Sequence, residues 1–363
     1  MSKVNIKNEQ VKRKFFKWLK EADGCCDSTV NNIEKAILIY EDFTKQADLN
    51  TFNSNKAEDF KKWIKEREFR GKIISITTYH TYLRYLKKFF SWLSWQTGYK
   101  SKITPDIIRY LNISLKDERI ATQNAPRNYP LLEYVIKLAD SIKITSEIDL
   151  RDRALISFTL LSGMRDKAIS TLPLGCFNEE TFIISQNPKQ GVQTKFSKYI
   201  QTTLFKFNDK LVQYVLDWTK HLREKGFGSQ DPLFPRSKMK QSENALSFEE
   251  SSEVEPIFWH NANRIREIFK TRCKNAVLPY FPPHTYRHLA VSLALKNCKN
   301  GEQIKAISQN FGHEHVVTTL CSYATYDPNR LSQILSNMDF SGKPKETLEE
   351  KIDKLLQQNK NNS

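Results

Sequence analysis

Apolar residues in the first hundred positions recur every three or four residues, the spacing that places them on one face of a helix. The clearest stripe consists of Tyr79, Leu83, Leu86, Phe90 and Leu93. Three shorter stripes precede it, formed by Val11, Phe15 and Leu19, by Val30, Ile33, Ile37 and Tyr40, and by Phe60 and Ile64. The pattern predicts four helices that bury these faces against one another in a bundle over residues 1–100.

This pattern weakens between residues 101 and 130. Pro105, Pro126 and Pro130 fall in the segment, and residues 122–128 form a polar run. Proline lacks a backbone amide hydrogen and a polar run has little to bury, so both interrupt regular structure. We therefore expect residues 101–130 to be a linker between two domains. A chain of 363 residues is long enough for two domains.

Regular patterns resume after the linker and predict a second domain over residues 131–340. Residues 177–185 and 193–202 have the composition of two strands, joined by a polar turn at 187–191. Five further segments have helical patterns, namely residues 131–139, 151–162, 209–225, 261–273 and 284–296. The predicted fold class is mainly α with a small β-sheet.

Two polar segments in the second half of the chain lack these patterns. Residues 237–255 are rich in acidic side chains, and we expect a long exposed loop there. Residues 341–363 are expected to form a charged C-terminal tail, in which Leu348, Ile352 and Leu355 would share one face of a helix.

The charge balance then narrows the class of partner. The formal net charge is +16 and the isoelectric point is about 9.4. An excess of this size favours a polyanion, although charge alone does not separate DNA from RNA or an anionic lipid. No run approaches the roughly 20 apolar residues that span a bilayer, and residues 1–8 lack the apolar core of a signal peptide. The expected location is therefore the cytoplasm, without membrane association.

The six cysteines have no spacing typical of a zinc site, and we expect them to be free thiols in a reducing compartment. No cofactor or metal site is predicted.

Four short segments of the second domain contain residue types suited to phosphoryl transfer. They are Arg165 after Gly163, Lys189 in a polar turn, His284 and Arg287 one helical turn apart, and Gly312-His313 ahead of Tyr323. Each residue alone is typical of an ordinary surface or core position. Together, two arginines can grip the oxygens of one phosphate, and their hydrogen bonds strengthen as negative charge grows at a five-coordinate phosphorus.

The remaining residue types could move the protons of such a reaction. A tyrosine has a pKa of about 10, so a histidine is needed to take its proton at neutral pH. A lysine on a hairpin can give a proton to a departing alkoxide. This chemistry needs no metal.

The ordered set Arg165, Lys189, His284-x-x-Arg287, Gly312-His313 and Tyr323 resembles that of the tyrosine recombinases, also called the phage-integrase family. The resemblance extends over most of the chain. It implies that residues 1–100 are a helical core-binding domain and that residues 131–340 are an α+β catalytic domain. It also implies a site-specific recombinase that cuts and rejoins double-stranded DNA, acts as a homo-tetramer on DNA in a bacterial cytoplasm, and leaves room for accessory DNA-bending proteins.

The resemblance implies a role for each residue of the set. Arg165 and Arg287 would bind the scissile phosphate, and His313 would donate a hydrogen bond to it. His284 would be the base and Lys189 the acid. Tyr323 would attack and form a 3′-phosphotyrosyl bond, which stores the energy for rejoining without ATP.

The nucleophile departs from the family's usual spacing. Tyr323 stands one residue later than usual, Ser322 occupies the usual place, and Tyr326 is an alternative nucleophile. A variant pattern of the family, in which Ser-Tyr follows Thr-Thr-x-x, fits Tyr323.

Four further questions are left open by the sequence. Ala168 stands where the family often has an acidic residue, and Asp166 is a possible substitute. Lys195 is an alternative to Lys189, which we favour because turn residues surround it.

The DNA contacts of the first domain and the overall activity are equally open. His80, Arg84 and Lys87 on the fourth helix are candidate DNA contacts, with a solvated helix face as the alternative. The alternative functions are DNA relaxation of the type IB topoisomerase kind, and a DNA-binding relative that has lost catalysis.

Overall fold

The computed structural model describes residues 4–69, 71–122, 128–241, 248–313 and 315–317 of the chain, together with Ser332 and Ser336. It divides into two compact units, Met1–Ala125 and Pro126–Ser363. Helices predominate in both units and the sheets are small and antiparallel, which confirms the predicted fold class.

Unit 1 is a helical bundle, as predicted. Its helices are α1 (Ile6–Glu21), α2 (Asp27–Phe43), α3 (Ser54–Glu66), α4 (Ile76–Leu93), α5 (Pro105–Arg109) and α6 (Leu115–Thr122), and a short ribbon joins β1 (Glu68–Phe69) to β2 (Lys72–Ile73). Local sequence defines where helices begin: the Ser75 hydroxyl accepts a hydrogen bond from the Thr78 amide at the start of α4. The apolar stripe of α4 is fully buried, and the Phe52 and Phe90 rings stack with their centroids 3.8 Å apart.

Part of the segment expected to be a linker belongs to this bundle. Ile103, Ile108 and Leu111 are buried in the core of unit 1, within and beside α5. Pro105 begins α5 instead of interrupting structure, because the first residue of a helix needs no amide donor.

Unit 2 is built around one buried helix. Its helices are α7 (Leu132–Asp140), α8 (Glu147–Ser162), α9 (Asp166–Ile169), α10 (Asp209–Glu224), α11 (Asn263–Asn275), α12 (Pro283–Lys296) and α13 (Gly301–Asn310). Almost all of α8 is buried, because α7, α10 and α12 pack around it. The five helices predicted for this part of the chain are all present, and α9 and α13 were not predicted.

Three short strands of unit 2 form one sheet in chain order, β3 (Phe177–Asn178), β4 (Ile183–Gln186) and β5 (Ile200–Thr203). The prediction of two long strands is wrong in detail. Phe182, Phe196 and Ser197 have left-handed backbone angles, with φ of 58°, 61° and 50°, which a strand does not accommodate. Residues 187–199 therefore form a long connection between β4 and β5.

The exposed loop predicted for residues 237–255 is also a misassignment. The segment contains an antiparallel hairpin of β6 (Ser237–Gln241) and β7 (Phe248–Val254), and Val254 is buried in the core. Its charges pair across the hairpin, with Lys238 Nζ 3.2 Å from Glu253 Oε2. Opposite charges on facing strands stabilise a hairpin, although along the sequence they look like a solvated run.

None of the helices in the described part of the chain is long and apolar enough to cross a bilayer.

Candidate active site

The turn between α8 and α9 presents Arg165. Gly163 ends α8 in the left-handed conformation, with φ of 57°, and its amide donates to the Thr159 carbonyl at 3.2 Å. Met164 then turns into the core, and Arg165 becomes the half-buried residue that precedes α9. The glycine thus converts a helix end into a turn that carries an arginine.

Two glycines allow the end of α13 to approach this turn. A Cβ atom at Gly163 would lie 2.2 Å from Cε1 of Phe311. A Cβ atom at Gly312 would lie 2.5 Å from Cδ1 of Ile200 on β5, and Gly312 also has a left-handed φ of 67°. A larger residue at either position would force the side chain of Phe311 or Ile200 to move, and it would also have to adopt a left-handed backbone conformation that favours glycine.

Arg287 joins these segments from α12. Its side chain is buried, with 7% exposed. Nη1 donates to the Gly163 carbonyl at 2.7 Å, Nη2 donates to the Phe311 carbonyl at 2.6 Å, and the guanidinium carbon lies 5.1 Å from the centroid of the Phe311 ring. One guanidinium group therefore holds the turn after α8 and the turn after α13 together.

His313 completes the cluster. Nη2 of Arg287 lies 3.0 Å from Nε2 of His313. Because a guanidinium can only donate, Nε2 must be the acceptor, and the neutral ring carries its hydrogen on Nδ1. Burial, and then the positive charges of Arg287 and Arg165, lower the pKa of His313 from its usual 6.5 to about 4. At neutral pH the ring is therefore uncharged and carries a single N–H group, on Nδ1.

The arrangement of Arg165, Arg287 and His313 suits an anion. Two guanidinium groups supply positive charge, and the imidazole supplies a neutral donor beside them. Such a cluster can bind the oxygens of a phosphate group and stabilise negative charge that builds up there. The described residues contain no group of three or more His, Cys, Asp or Glu side chains placed to hold a metal ion.

Asn310 ties the β4–β5 sheet to the same cluster. Its side-chain oxygen accepts from the Thr203 amide at 2.6 Å, and its side-chain nitrogen donates to the Thr203 carbonyl at 3.0 Å. The Thr202 hydroxyl donates to the Asn310 carbonyl at 2.8 Å. No pattern in the sequence indicated this role, because an asparagine near a helix end is common.

Lys189 lies on the β4–β5 connection, outside the cluster. The Asn187 side chain accepts from the Lys189 amide at 3.0 Å, and Gly191 closes the turn with a left-handed φ of 88°. Lys195 is also exposed, with Nζ 4.8 Å from the centroid of the Phe196 ring. Among the residues that the structure describes, neither lysine contacts Arg165, Arg287 or His313.

His284 occupies the first turn of α12, after Pro282 and Pro283. Its side chain is exposed, and its ring lies perpendicular to that of the buried His288, with the centroids 6.1 Å apart. It precedes Arg287 by one helical turn, so the two side chains share a side of α12.

The structure shows the surroundings of Ala168, which stands where the family often has an acidic residue, and of Asp166, the possible substitute. Ala168 is buried, and the Asp166 carboxylate pairs with Arg266 on α11, with Oδ2 2.6 Å from Nη2. The partner of Asp166 is therefore Arg266, which is not one of the two arginines of the predicted set, Arg165 and Arg287.

The remaining predicted residues lie elsewhere. Tyr323, Tyr326 and Ser322 lie outside the described residues. In unit 1, His80, Arg84 and Lys87 share one face of α4 at helical spacing. Arg84 is exposed, and Nζ of Lys87 donates to Oδ1 of Asn112 at 2.7 Å.

The fold resembles several solved structures. A lambda integrase dimer bound to a COC′ core site is 12% identical, with a TM-score of 0.60, over 88% of this chain and 97% of that chain. A post-cleavage complex of the XerH site-specific recombinase with palindromic difH is 18% identical, with a TM-score of 0.59, over 90% and 84%. The Tn1549 transposon integrase in complex with transposon right end DNA is 16% identical, with a TM-score of 0.58, over 90% and 99%.

A comparison of the sequence with curated proteins found no match. By contrast, the model of the phage integrase family matches residues 132–330, which is more than half of the chain and includes every segment of the predicted catalytic set. The chain therefore belongs to the phage integrase family.

Proposed function

We propose that this protein is a site-specific DNA recombinase that cuts and rejoins DNA through a 3′-phosphotyrosyl intermediate. The observation that carries the proposal is the cluster of Arg165, Arg287 and His313, in which two positive charges adjoin a histidine held neutral. Membership of the phage integrase family supports the same reading. The similar lambda integrase, XerH and Tn1549 integrase structures are complexes with DNA, which favours DNA as the substrate here.

In this proposal the cluster binds the scissile phosphate. Arg165 and Arg287 donate to its non-bridging oxygens, and Nδ1–H of His313 donates a further hydrogen bond. Arg287 is held at both ends by backbone carbonyls, so its position is set before the DNA arrives. Donors that are already in place stabilise the charge of the transition state without further reorganisation.

The other three members of the set, Tyr323, His284 and Lys189, make and break the bonds and move the protons. The Tyr323 hydroxyl attacks the phosphorus, its proton passes to His284, and a Tyr–O–P bond forms. The bond from phosphorus to the 5′ oxygen breaks, and Lys189 supplies the proton that this oxygen needs. The phosphotyrosyl bond keeps the energy of the broken bond, so rejoining uses neither metal nor ATP.

We further propose the division of labour along the chain. Residues 1–100 would bind DNA, with His80, Arg84 and Lys87 as contacts, and residues 131–340 would be catalytic. The protein would act on duplex DNA as a homo-tetramer, with the tail of residues 341–363 docking on a neighbouring copy. The net charge of +16 supports binding to the phosphate backbone.

The test is covalent capture on a nicked duplex that contains the recognition sequence, selected beforehand from a random pool by binding to the protein. A denaturing gel should show a protein–DNA adduct, and peptide mass spectrometry should place it on Tyr323. Tyr323→Phe should abolish the adduct, and Tyr326→Phe is the matched control that should retain it. The reverse pattern would make Tyr326 the nucleophile.

Other outcomes would replace the proposal. A footprint on the selected DNA without any adduct would indicate a DNA-binding relative that lacks catalysis. Relaxation of supercoiled DNA without sequence preference would indicate an enzyme of the type IB topoisomerase kind.

A further inference from the structure

The connection between β4 and β5 exposes an aromatic ring at its tip. Phe196 is 74% exposed, and Tyr199 beside it is 59% exposed. Large aromatic side chains are normally among the most buried residues, so a ring that points into solvent calls for a physical reason.

The charged residues of this connection all have one sign. Residues 187–199 contain three lysines and no acidic residue. Nζ of Lys195 lies 4.8 Å from the centroid of the Phe196 ring, and Nζ of Lys198 lies 5.8 Å from it. The face of the ring is therefore bordered by two ammonium groups.

Contacts at both ends of this segment fix its backbone, so that the Phe196 ring is directed toward solvent. Val192 is buried, and the Gln193 amide donates to the Thr171 hydroxyl at 2.9 Å, which fixes the start of the tip. The Thr194 hydroxyl donates to the Lys198 carbonyl at 2.6 Å and closes the tip. Between these two contacts, Phe196 and Ser197 both have left-handed backbone angles, which residues other than glycine rarely adopt.

We propose that this tip, formed by Lys195, Phe196 and Lys198, binds an unpaired nucleobase of the DNA substrate. The base stacks on the Phe196 ring, and the lysines pair with the phosphates on either side of it. An aromatic ring with adjacent cations is the combination that binds single-stranded nucleic acid without reading its sequence. A second copy of this chain fits the tip less well, because that copy carries a net charge of +16.

The inference rests on the proposed function, in which DNA is the substrate. Exchange of strands requires the bases next to the cut to leave their partners, and an unpaired base exposes the flat face that duplex DNA hides. The tip extends from the same connection as Lys189, to which we assign protonation of the leaving oxygen, so such a base would be captured near the cut. A captured base would slow the return of the strand to its original partner.

The experiment compares two duplexes of equal length, of which one is fully paired and the other has three unpaired adenines at its centre. Binding of the full-length protein is measured by fluorescence anisotropy at several salt concentrations. We expect the wild type to prefer the unpaired duplex by about 5- to 160-fold, the range for stacking of one base. Phe196→Leu should lose this preference, and Phe196→Trp, the matched aromatic control, should keep it.

The charge contribution is separated from stacking by Lys195→Gln. This variant should weaken binding to both duplexes by the same factor, and should reduce the slope of log affinity against log salt by about 1. A 2-aminopurine in place of the central adenine reports the stacking directly, because its fluorescence should fall with the wild type and not with Phe196→Leu.

Two results would overturn the inference. An equal preference for the unpaired duplex in Phe196→Leu and the wild type would show that the ring takes no part. A loss of self-association in Phe196→Leu, seen by light scattering with the preference unchanged, would assign the ring to a second copy of the chain. Covalent capture distinguishes the two proposals, because the stacking measurement needs no catalysis and can succeed or fail independently of it.

Discussion

Among the described residues of unit 2, Arg151 and Arg287 are both buried, but their surroundings differ. Arg151 on α8 is fully buried, and it donates to Oδ1 of Asp152 from Nε at 3.0 Å and from Nη2 at 2.8 Å. Arg272 pairs with the other oxygen of Asp152 at 2.7 Å and with Asp149 at 2.8 Å. Two arginines and two carboxylates thus form a network with no net charge. Arg287 instead donates to two backbone carbonyls and to His313.

The difference lies in what happens to the charge. A carboxylate partner cancels the charge of a guanidinium, whereas a carbonyl accepts its hydrogen bond and leaves the charge in place. Burial is the main cause of the depressed pKa of His313, and the positive charges of Arg287 and Arg165 lower that pKa further. The Arg151 network is therefore suited to stability, whereas we propose that the Arg287 cluster binds an anion.

The largest expected effect comes from the neutral network. Asp152→Ala leaves two guanidinium groups without their shared carboxylate, and should lower the free energy of unfolding by ~3–5 kcal/mol. Urea denaturation measures it. Glu224→Ala, which breaks an exposed pair with Lys220, is the control and should cost less than ~1 kcal/mol. A small effect of Asp152→Ala would remove the contrast between the two regions.

The second effect tests the charged cluster by activity. Arg287→Lys keeps the charge but loses the planar fork that reaches both carbonyls, and should lower the rate of covalent capture per folded molecule by about 10²- to 10³-fold. Arg266→Lys is the matched control, because Arg266 also pairs at a turn of this region but with Asp166. If both variants lowered the rate equally, the cluster would not be the phosphate site.

The third effect concerns Asn310, which we expect to act as a positioning residue. Asn310→Ala removes two hydrogen bonds to Thr203, each worth about 0.5–1.5 kcal/mol, and should slow capture by roughly 10-fold with little change in DNA affinity. Asn300→Ala removes the cap at the other end of α13, where the Asn300 side chain accepts from the Gln303 amide. That control should lower stability by about 1 kcal/mol and leave capture per folded molecule unchanged.

The smallest effect, counted per pH unit, is a pH dependence of stability. The unfolded chain protonates His313 near 6.5, whereas the folded chain does so only near 4. Between these values the unfolded state binds more protons, so acid favours unfolding, and the contribution is fully present only above about pH 6.5. The wild type should lose stability relative to His313→Gln as the pH falls from 6.5 to 4, by at most about 1.4 kcal/mol per pH unit. Parallel curves in denaturant titrations at each pH would contradict this.

The sequence predicted what depends on neighbours along the chain. The stripe of Tyr79, Leu83 and Leu86 defines α4 because helical spacing is a local property, and the structure buries all three. The hairpin of β6 and β7 was missed because its stability comes from pairing across strands, as between Lys238 and Glu253. The role of Pro105 was misjudged because a proline that begins a helix and one that interrupts a helix look alike in sequence.

The same distinction between local and long-range contacts applies to the candidate site. Arg287 and His313 were predicted as members of the set, and the structure brings them together with Arg165 acting on the same histidine. The contact from Arg287 to Gly163 joins residues 124 positions apart, and the contact from Asn310 to Thr203 joins residues 107 positions apart. No pattern of local spacing contains contacts of that range.

The two glycines of the cluster have a consequence for how such a protein decays. At Gly163 and Gly312 a single added methyl group meets Phe311 or Ile200 at well under contact distance. If the cluster is the phosphate site that we propose, a gene copy released from selection could lose it in one nucleotide change while keeping every arginine and histidine. The residues at these two positions, examined before the arginines and histidines, would distinguish functional gene copies from inactive ones in a genome.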